Sequence, residues 1–108
     1  MNREEKNKIY QIHADICHAL THPIRLEIID SLREGEKSVT QLVEALQAPQ
    51  GTVSRHLSLM RSKGVVVPRH EGQSVYYRLG SPRIMDAYNE MHQFAMEHLA
   101  AQANLFID

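Results

Sequence analysis

The side chains best suited to recognition chemistry lie between residues 50 and 63, in the segment QGTVSRHLSLMRSK. A buried row at helical spacing is formed by Val53, Leu57 and Met60. The opposite face is rich in short hydrogen-bond donors and positive charge and contains no carboxylate: Thr52, Ser54, Arg55, Ser58 and, at its edge, His56. Such groups bind phosphate oxygens and base edges, which is typical of a helix that enters the major groove of DNA.

Within this segment the charged and the uncharged side chains suit different parts of DNA. Arginine and lysine neutralise phosphates, so we expect phosphate contacts from Arg55, Arg61 and Lys63. Amide, hydroxyl and imidazole groups can read base edges, so we expect base contacts from Gln50, Ser54 and His56.

The charge distribution along the chain agrees with a local DNA-binding surface. Net charge is −1, which alone argues against a nucleic-acid partner. Residues 49 to 80, however, contain five basic side chains against one acidic, whereas one basic residue faces four acidic ones from Ser81 onward. Residues 1 to 48 contain six basic and eight acidic side chains. A basic module between acidic flanks indicates a DNA reader with a separate assembly surface.

A second short helix must position the reading helix. Ser38 starts it with a capping box, because Gln41 lies three residues later and can reach back to the cap. The inner face is formed by Val39, Leu42, Val43 and Leu46. The sequence AlaProGlnGly at 48–51 breaks the chain, and Thr52 or Gln50 is predicted to cap the reading helix, which Gly64 ends. The pair therefore has the layout of a helix-turn-helix.

The remaining elements flank this pair. Apolar spacing predicts a helix over residues 3–20 and another from Pro23 to about Glu34 that stops at Gly35. Residues 65–67 and 74–79 predict a two-stranded hairpin with a turn at 71–73, and Pro68 marks an edge or bulge. Ser81 and Pro82 begin a last helix that runs to about Phe106. The predicted fold is mainly α with a small hairpin, α-α-α-α-β-β-α, a winged helix-turn-helix in one domain spanning 1–108.

Assembly and compartment follow from composition. The terminal helices carry apolar stripes, Ile9, Ile12, Ile16 and Leu20 in the first and Ile84, Tyr88, Met91, Ala95 and Leu99 in the last. We expect a homodimer that covers these stripes and sets two reading helices about 34 Å apart on a palindromic site. A signal peptide and a membrane span are not expected, and one cysteine, Cys17, suits a reducing compartment. The predicted location is the cytoplasm.

The sequence resembles the ArsR/SmtB family of bacterial winged-helix repressors in three segments. ALTHPIRLEIIDSL at 19–32 is close to the family's opening signature, QGTVSRHLSLMRSKGVV at 50–66 to its recognition helix and EGQSVYYRL at 71–79 to its wing. The resemblance implies a dimeric repressor that leaves its operator when a metal ion or another inducer binds. It also places DNA contacts at Gln50, Thr52, Ser54, Arg55 and His56, and on the wing at Arg69, His70 and Gln73. Gly51 stands where relatives commonly carry a small hydroxyl residue, so one contact would be missing.

The family's sensing residues are matched less well. Ser38 to Gln47 contains no cysteine, although one family site uses a cysteine pair there. In the last helix, Asp86 is followed by Tyr88 where another family site has a histidine. A switch that needs two cysteines per subunit is excluded by the count.

Another set of residues could bind zinc, nickel or cobalt: His13, Cys17, His18, His92 and His98. Buried or solvated side chains without a ligand are the alternative for all five. A metal-independent regulator, or a winged helix that contacts only protein, therefore stays open. Catalysis is not expected, because the one conceivable nucleophile and base, Cys17 and His13, have no third orienting group.

Overall fold

The computed structural model describes residues 1–105, which form a helical body with a three-stranded antiparallel sheet. The helices are α1 (Arg3–His18), α2 (Pro23–Ser31), α3 (Val39–Leu46), α4 (Gln50–Ser62) and α5 (Pro82–Leu105). The strands are β1 (Lys37–Ser38), β2 (Val66–Glu71) and β3 (Ser74–Leu79), in the sheet order β1-β3-β2. The predicted fold class is confirmed. The predicted end of the last helix near Phe106 lies outside the described residues.

The sheet contains one strand more than the sequence predicted. Lys37 and Ser38 pair with Tyr77 and Tyr76 of β3, so the hairpin is extended on that side. Two residues cannot show strand periodicity, and Ser38 is also the cap of α3, which hid β1 in the sequence. β2 is the other edge strand, and an edge tolerates the missing N–H of Pro68, as expected.

The two helices α3 and α4 begin in different ways, one with a side-chain cap and the other without. The predicted capping box is confirmed: the Ser38 backbone N–H donates to Gln41 Oε1 at 2.8 Å and the Gln41 N–H donates to Ser38 Oγ at 3.1 Å. The predicted cap of α4 is wrong, because the helix begins at Gln50 after Pro49, with no side-chain cap. Proline fixes a backbone angle and starts the helix without a hydroxyl group, so neither Thr52 nor Gln50 is used as a cap.

Two helix ends also differ from the prediction. α1 ends at His18 rather than residue 20, and α2 ends at Ser31, with turns leading to Gly35. α4 closes as predicted, with Gly64 in the left-handed region at φ 77°.

The core lies between α2, α3, α4 and the sheet. The predicted row of α4 is buried, with Val53, Leu57 and Met60 at most 1% exposed. These side chains pack in a cluster with residues that are also buried: Ala19, Ile28, Ile29, Leu32, Leu42, Val65, Val66 and Tyr77. The face of α4 that points away from this cluster is therefore free to meet another molecule.

The terminal helices contribute little to this core. α1 has no buried residue, and its Ile9 and Ile12 are 50% and 54% exposed. On α5, large apolar side chains are 55–69% exposed: Met91, Phe94, Met96 and Leu99. Only the inner ends of the predicted stripes, such as Ile16 and Ile84, pack against the core. None of the helices described is long and apolar enough to cross a membrane.

Candidate nucleic-acid interface

The predicted reading face of α4 lies around the first two turns of the helix. Gln50 and Arg55 are exposed, and Thr52 and Ser54 are half-buried. Arg55 Nη2 donates a long hydrogen bond to Thr52 Oγ1, at 3.4 Å. No carboxylate lies within 4.0 Å of the Arg55 guanidinium among residues 1–105, which leaves its charge available to an anion.

A polar cleft joins this face to the wing, the β2–β3 hairpin. The cleft has a volume of about 320 Å³ and is lined by side chains from α3, α4 and the hairpin, including Thr40, Gln50, Ser54, Gln73 and Ser74. It thus brings together three of the predicted DNA contacts, Gln50 and Ser54 on α4 with Gln73 on the wing. Amides and hydroxyls both donate and accept hydrogen bonds, so this surface can pair with phosphates and with base edges.

On the wing, Arg69 is tied to two carboxylates. Arg69 Nε lies 3.1 Å from both oxygens of Glu36, and Nη1 lies 3.1 Å from Glu71 Oε2. The guanidinium also sits 4.8 Å from the centre of the Tyr76 ring. The hydrogen bond from Arg69 lowers the pKa of the Glu36 carboxyl, and the two carboxylates raise the pKa of Arg69. His70 and Gln73, in contrast, are exposed near the turn of the wing.

Sequence reasoning missed the Glu36 pairing. Glu36 and Arg69 are 33 residues apart, and the run of charged residues around Glu36, from Arg33 to Lys37, gives no indication of this contact. The contact between Arg69 and Glu71 could have been predicted from the sequence, since residues two apart on a strand share a face.

His56 points toward the protein rather than fully into solvent. Its Nδ1 lies 3.2 Å from Nη1 of the buried Arg25 on α2, and its ring centre lies 4.5 Å from that of His22. Burial, followed by the nearby His22, Arg25 and Arg55, lowers the pKa of His56. Sequence reasoning placed His56 at the edge of the reading face and did not find its link to Arg25.

The end of α4 is connected to α1. Lys63 Nζ lies 4.0 Å from Asp15 Oδ1, and the Lys63 side chain is 30% exposed. Arg61 is exposed in the last turn of the helix. Of the three predicted phosphate contacts, Arg55 and Arg61 are thus open to solvent, while Lys63 is partly engaged within the chain.

The five candidate metal ligands all lie on the terminal helices and are exposed. His92 stacks on Tyr88 at 5.1 Å, and His98 stacks on Phe94 at 6.3 Å while its Nε2 lies 3.1 Å from Gln102 Nε2. Within residues 1–105, no three histidine, cysteine or carboxylate side chains are close enough together to hold a metal ion. The donors of one chain therefore do not fit a complete metal site, and one would need ligands from a second chain.

Comparison with known proteins gives one consistent description. Residues 22–67 match the model described as "Bacterial regulatory protein, arsR family". This chain is 39% identical to the HTH-type transcriptional repressor SmtB of Mycobacterium tuberculosis over 72 residues, 67% of this chain and 53% of that protein. The chain therefore spans about half the length of that curated relative.

Two further comparisons cover most of the chain. Over 92 residues the sequence is 32% identical to the biofilm growth-associated repressor of Xylella fastidiosa, covering 85% of this chain and 81% of that one. The fold matches the homodimeric winged helix-turn-helix DNA-binding domain of a possible ArsR-family regulator from Mycobacterium bovis, with a TM-score of 0.82, 30% identity and 91% coverage of both chains. These relatives are transcriptional regulators, which confirms the prediction that the chain is not an enzyme.

Proposed function

This chain belongs to the ArsR family of bacterial regulatory proteins, and we propose that it is a homodimeric, sequence-specific DNA-binding repressor whose α4 lies in the major groove. The resemblance predicted from the sequence is thereby confirmed at the level of the family. One observation carries the proposal furthest: α4 turns its polar and basic face outward and shares a polar cleft with the wing. A helix of this kind fits the major groove, which is about 12 Å wide.

The described contacts support a division of labour among the predicted site residues. Arg55 and Arg61 are the exposed cations of α4 and would hold phosphates, with Lys63 at the edge of the contact. Gln50 and Ser54 border the cleft and would face base edges, with Thr52 beside them. On the wing, His70 and Gln73 are free to meet the backbone or minor groove, and Arg69 would do so only by leaving its carboxylates.

The homodimer is supported by the apolar side chains left exposed on α1 and α5. A monomer rarely exposes so many large apolar side chains, since their burial provides the main driving force for association. The Mycobacterium bovis relative is itself homodimeric. A two-fold axis through these helices would present two copies of α4 to a palindromic operator.

We further propose that an inducer releases the DNA by binding to the terminal helices. A ligand bound there would favour a dimer in which the two copies of α4 no longer match the half-site spacing. A transition-metal ion such as zinc, nickel or cobalt is one candidate, and it would require ligands from both subunits. An inducer without a metal is the other.

The inducer proposal is tested by titrating zinc, nickel, cobalt and arsenite against the protein–DNA complex, with Cys17→Ser as the comparison variant. A metal inducer should weaken DNA binding, and by reciprocity DNA should weaken binding of the metal. If none of the four changes DNA affinity, the metal version is wrong.

The DNA-binding proposal is tested with Arg55→Ala against Arg33→Ala. Both variants remove one exposed arginine, but Arg33 pairs with Asp30 of α2 and lies over the Tyr88 ring of α5, and it is not one of the predicted DNA contacts. Loss of a phosphate contact should weaken binding to every duplex about tenfold and reduce the salt slope of the binding constant by about one unit. The Arg33 variant should keep the wild-type slope.

Unchanged affinity and slope for Arg55→Ala would show that α4 does not dock as proposed. Selection of duplexes from a random library provides the broader test. If wild-type protein enriches no sequence and binds no duplex, the chain is a protein-contact module instead.

A further inference from the structure

Arg25 is the buried charged side chain of the described core, with 8% of its surface exposed. A buried guanidinium is costly unless acceptors surround it, and no carboxylate lies within 4.0 Å of it in residues 1–105. Its acceptors are neutral and come from three different parts of the chain. Nη2 donates to the His18 carbonyl at 3.1 Å and to Thr21 Oγ1 at 3.3 Å, while Nη1 reaches His56 Nδ1 at 3.2 Å.

The chemistry of these groups fixes the state of the His56 ring. A guanidinium can only donate, so Nδ1 of His56 must accept, and its proton must sit on Nε2. Next to it, His22 is also fixed, because its Nδ1 accepts the Ile24 backbone N–H at 3.1 Å as the cap of α2. The charged and titratable groups around His56 are Arg25 and His22 on the α2 side and Arg55 on α4.

One guanidinium therefore connects the end of α1, the turn before α2 and the first half of the reading helix. His56 lies between Arg55 and Leu57, so the bond acts on the stretch of α4 that carries the predicted base contacts. The buried row of α4 holds the helix against the core, and the directional hydrogen bond between Arg25 and His56 adds a restraint on its rotation.

Resting on the proposed DNA-binding function, we propose that Arg25 is a positioning residue for DNA recognition. Through its hydrogen bond to His56, it fixes the rotation of α4 about its axis, and His56 is the acceptor of this bond rather than a reader of a base edge. Specific recognition needs this orientation, because base contacts depend on side chains at set positions. Nonspecific binding to phosphates does not need it.

The proposal gives a pH profile that a purely structural role would not produce. Protonation of His56 removes the acceptor and places a third cation beside Arg25 and Arg55, so α4 loses its fixed orientation. The same added charge strengthens nonspecific phosphate binding. The ratio of specific to nonspecific affinity should therefore fall about tenfold as His56 becomes charged. This factor corresponds to the loss of one hydrogen bond that involves a charged group.

The experiment uses the full chain and a duplex selected by the wild type from a random library. Affinity for this duplex and for a scrambled one is measured from about pH 8 to about pH 5.5, the range in which histidines change charge. His56→Asn keeps an acceptor oxygen near the place of Nδ1 but cannot titrate. It should retain most of the discrimination and lose the fall at low pH.

Two removal variants and one matched histidine variant complete the test. His56→Leu, which has no acceptor, and Arg25→Met, which has no donor, should lose about tenfold in discrimination at every pH. His13→Gln removes an exposed histidine of α1, outside the predicted DNA contacts, and should still show the fall at low pH. Thermal unfolding of each variant and titration of its active fraction keep a loss of folded protein apart from a loss of discrimination.

The inference is wrong if His56→Asn keeps the wild-type pH profile, or if His56→Leu discriminates as well as the wild type. His56→Leu keeps the test decisive should Arg25→Met fail to fold. If the wild type selects no duplex, it is the proposed DNA-binding function that fails, before any variant is measured.

Discussion

The middle of the chain and its two ends bury their apolar side chains in different ways. Between Pro23 and Gly80, the rows of α2, α3, α4 and the sheet close on one another, and eight large side chains are less than 2% exposed. On α1 and the outer part of α5, side chains of similar size, such as Ile12 and Leu99, remain 54% and 67% exposed. Both regions have apolar residues at helical spacing, but only the middle provides its own partners.

This difference assigns the proposed DNA recognition to the middle of the chain and the proposed response to an inducer to its two ends. The orientation of the reading helix is set within one chain, by its buried row and by the Arg25–His56 bond. The environment of α1 and α5 is completed only by the second copy that we propose. A ligand that acts at the ends can therefore change the distance between two reading helices without disturbing either one.

Replacing Leu99 by glutamate is the strongest way to break this comparison. Burial of a leucine contributes about 1.5–3 kcal/mol, and a two-fold interface contains the residue twice. A charge at this position should raise the dimer dissociation constant more than about 100-fold, and affinity for a palindromic duplex should fall by a similar factor. Sedimentation velocity and fluorescence anisotropy measure the two effects.

Asn89→Glu introduces the same charge at an exposed polar position of α5 and should remain dimeric. A Leu99→Glu protein that stays dimeric and keeps its DNA affinity would show that the end of α5 is not the interface. The exposed side chains would then need another partner.

The next largest effect concerns the middle of the chain. A Cβ at Gly80 would overlap the carbonyl oxygen of Gly64, where the end of β3 meets the end of α4. The Gly80 N–H also donates to the Val65 carbonyl at 2.9 Å, so the two segments cannot easily separate. Gly80→Ala should lower the free energy of unfolding by roughly 3 kcal/mol, because backbone atoms must shift. Chemical denaturation measures this.

Gly51→Ala is the matched control, since a Cβ there meets no atom within 4 Å and the residue is in the first turn of α4. It should leave stability unchanged or raise it by up to about 1 kcal/mol. Equal stability of the two variants would contradict the tight packing of the middle region.

The sequence predicted best what local chemistry determines. The Ser38–Gln41 capping box needs only two residues three apart, and the α4 row needs only helical spacing. The same local reasoning failed at the start of α4. It predicted Thr52 or Gln50 as the cap, but the helix begins directly after Pro49 with no side-chain cap. It also missed β1. This two-residue strand is too short to show a sequence pattern, and it forms by pairing with the edge of β3.

What the sequence could not predict depends on residues far apart. Arg69 meets Glu36 from 33 positions away, and Arg25 meets His56 from 31. Nothing in the spacing of these residues indicates that they touch. Burial on the terminal helices was predicted from periodicity, but periodicity does not distinguish a face that packs within the chain from one that awaits a partner. Ile9, for example, belongs to the apolar stripe of α1 but is 50% exposed, because no part of its own chain within residues 1–105 covers it.

A smaller effect should appear in the pH dependence of stability. Burial and neighbouring cations lower the pKa of His56 below its ordinary value of 6.5. As pH falls, the unfolded chain therefore takes up the proton first, and stability decreases from about pH 6.5 down to the folded-state pKa. His56→Asn should remove this part of the slope, at most one proton, in denaturation curves recorded across the range. An unchanged decline in the variant would mean that another histidine carries the effect.

The smallest expected effect tests whether Arg69 of the wing can bind a DNA phosphate once its ion pair with Glu36 is removed. Glu36→Gln removes the main partner of Arg69 and one negative charge from the DNA side, while Glu34→Gln neutralises a nearby exposed acid outside the Arg69 cluster. If Arg69 then turns to a phosphate, affinity for any duplex should rise about threefold and the salt slope should steepen by nearly one unit. Glu34→Gln should leave the slope unchanged. Weaker binding by Glu36→Gln would instead mean that the ion pair holds the wing in its DNA-binding position, so that the wing, like the terminal helices, depends on a contact outside itself.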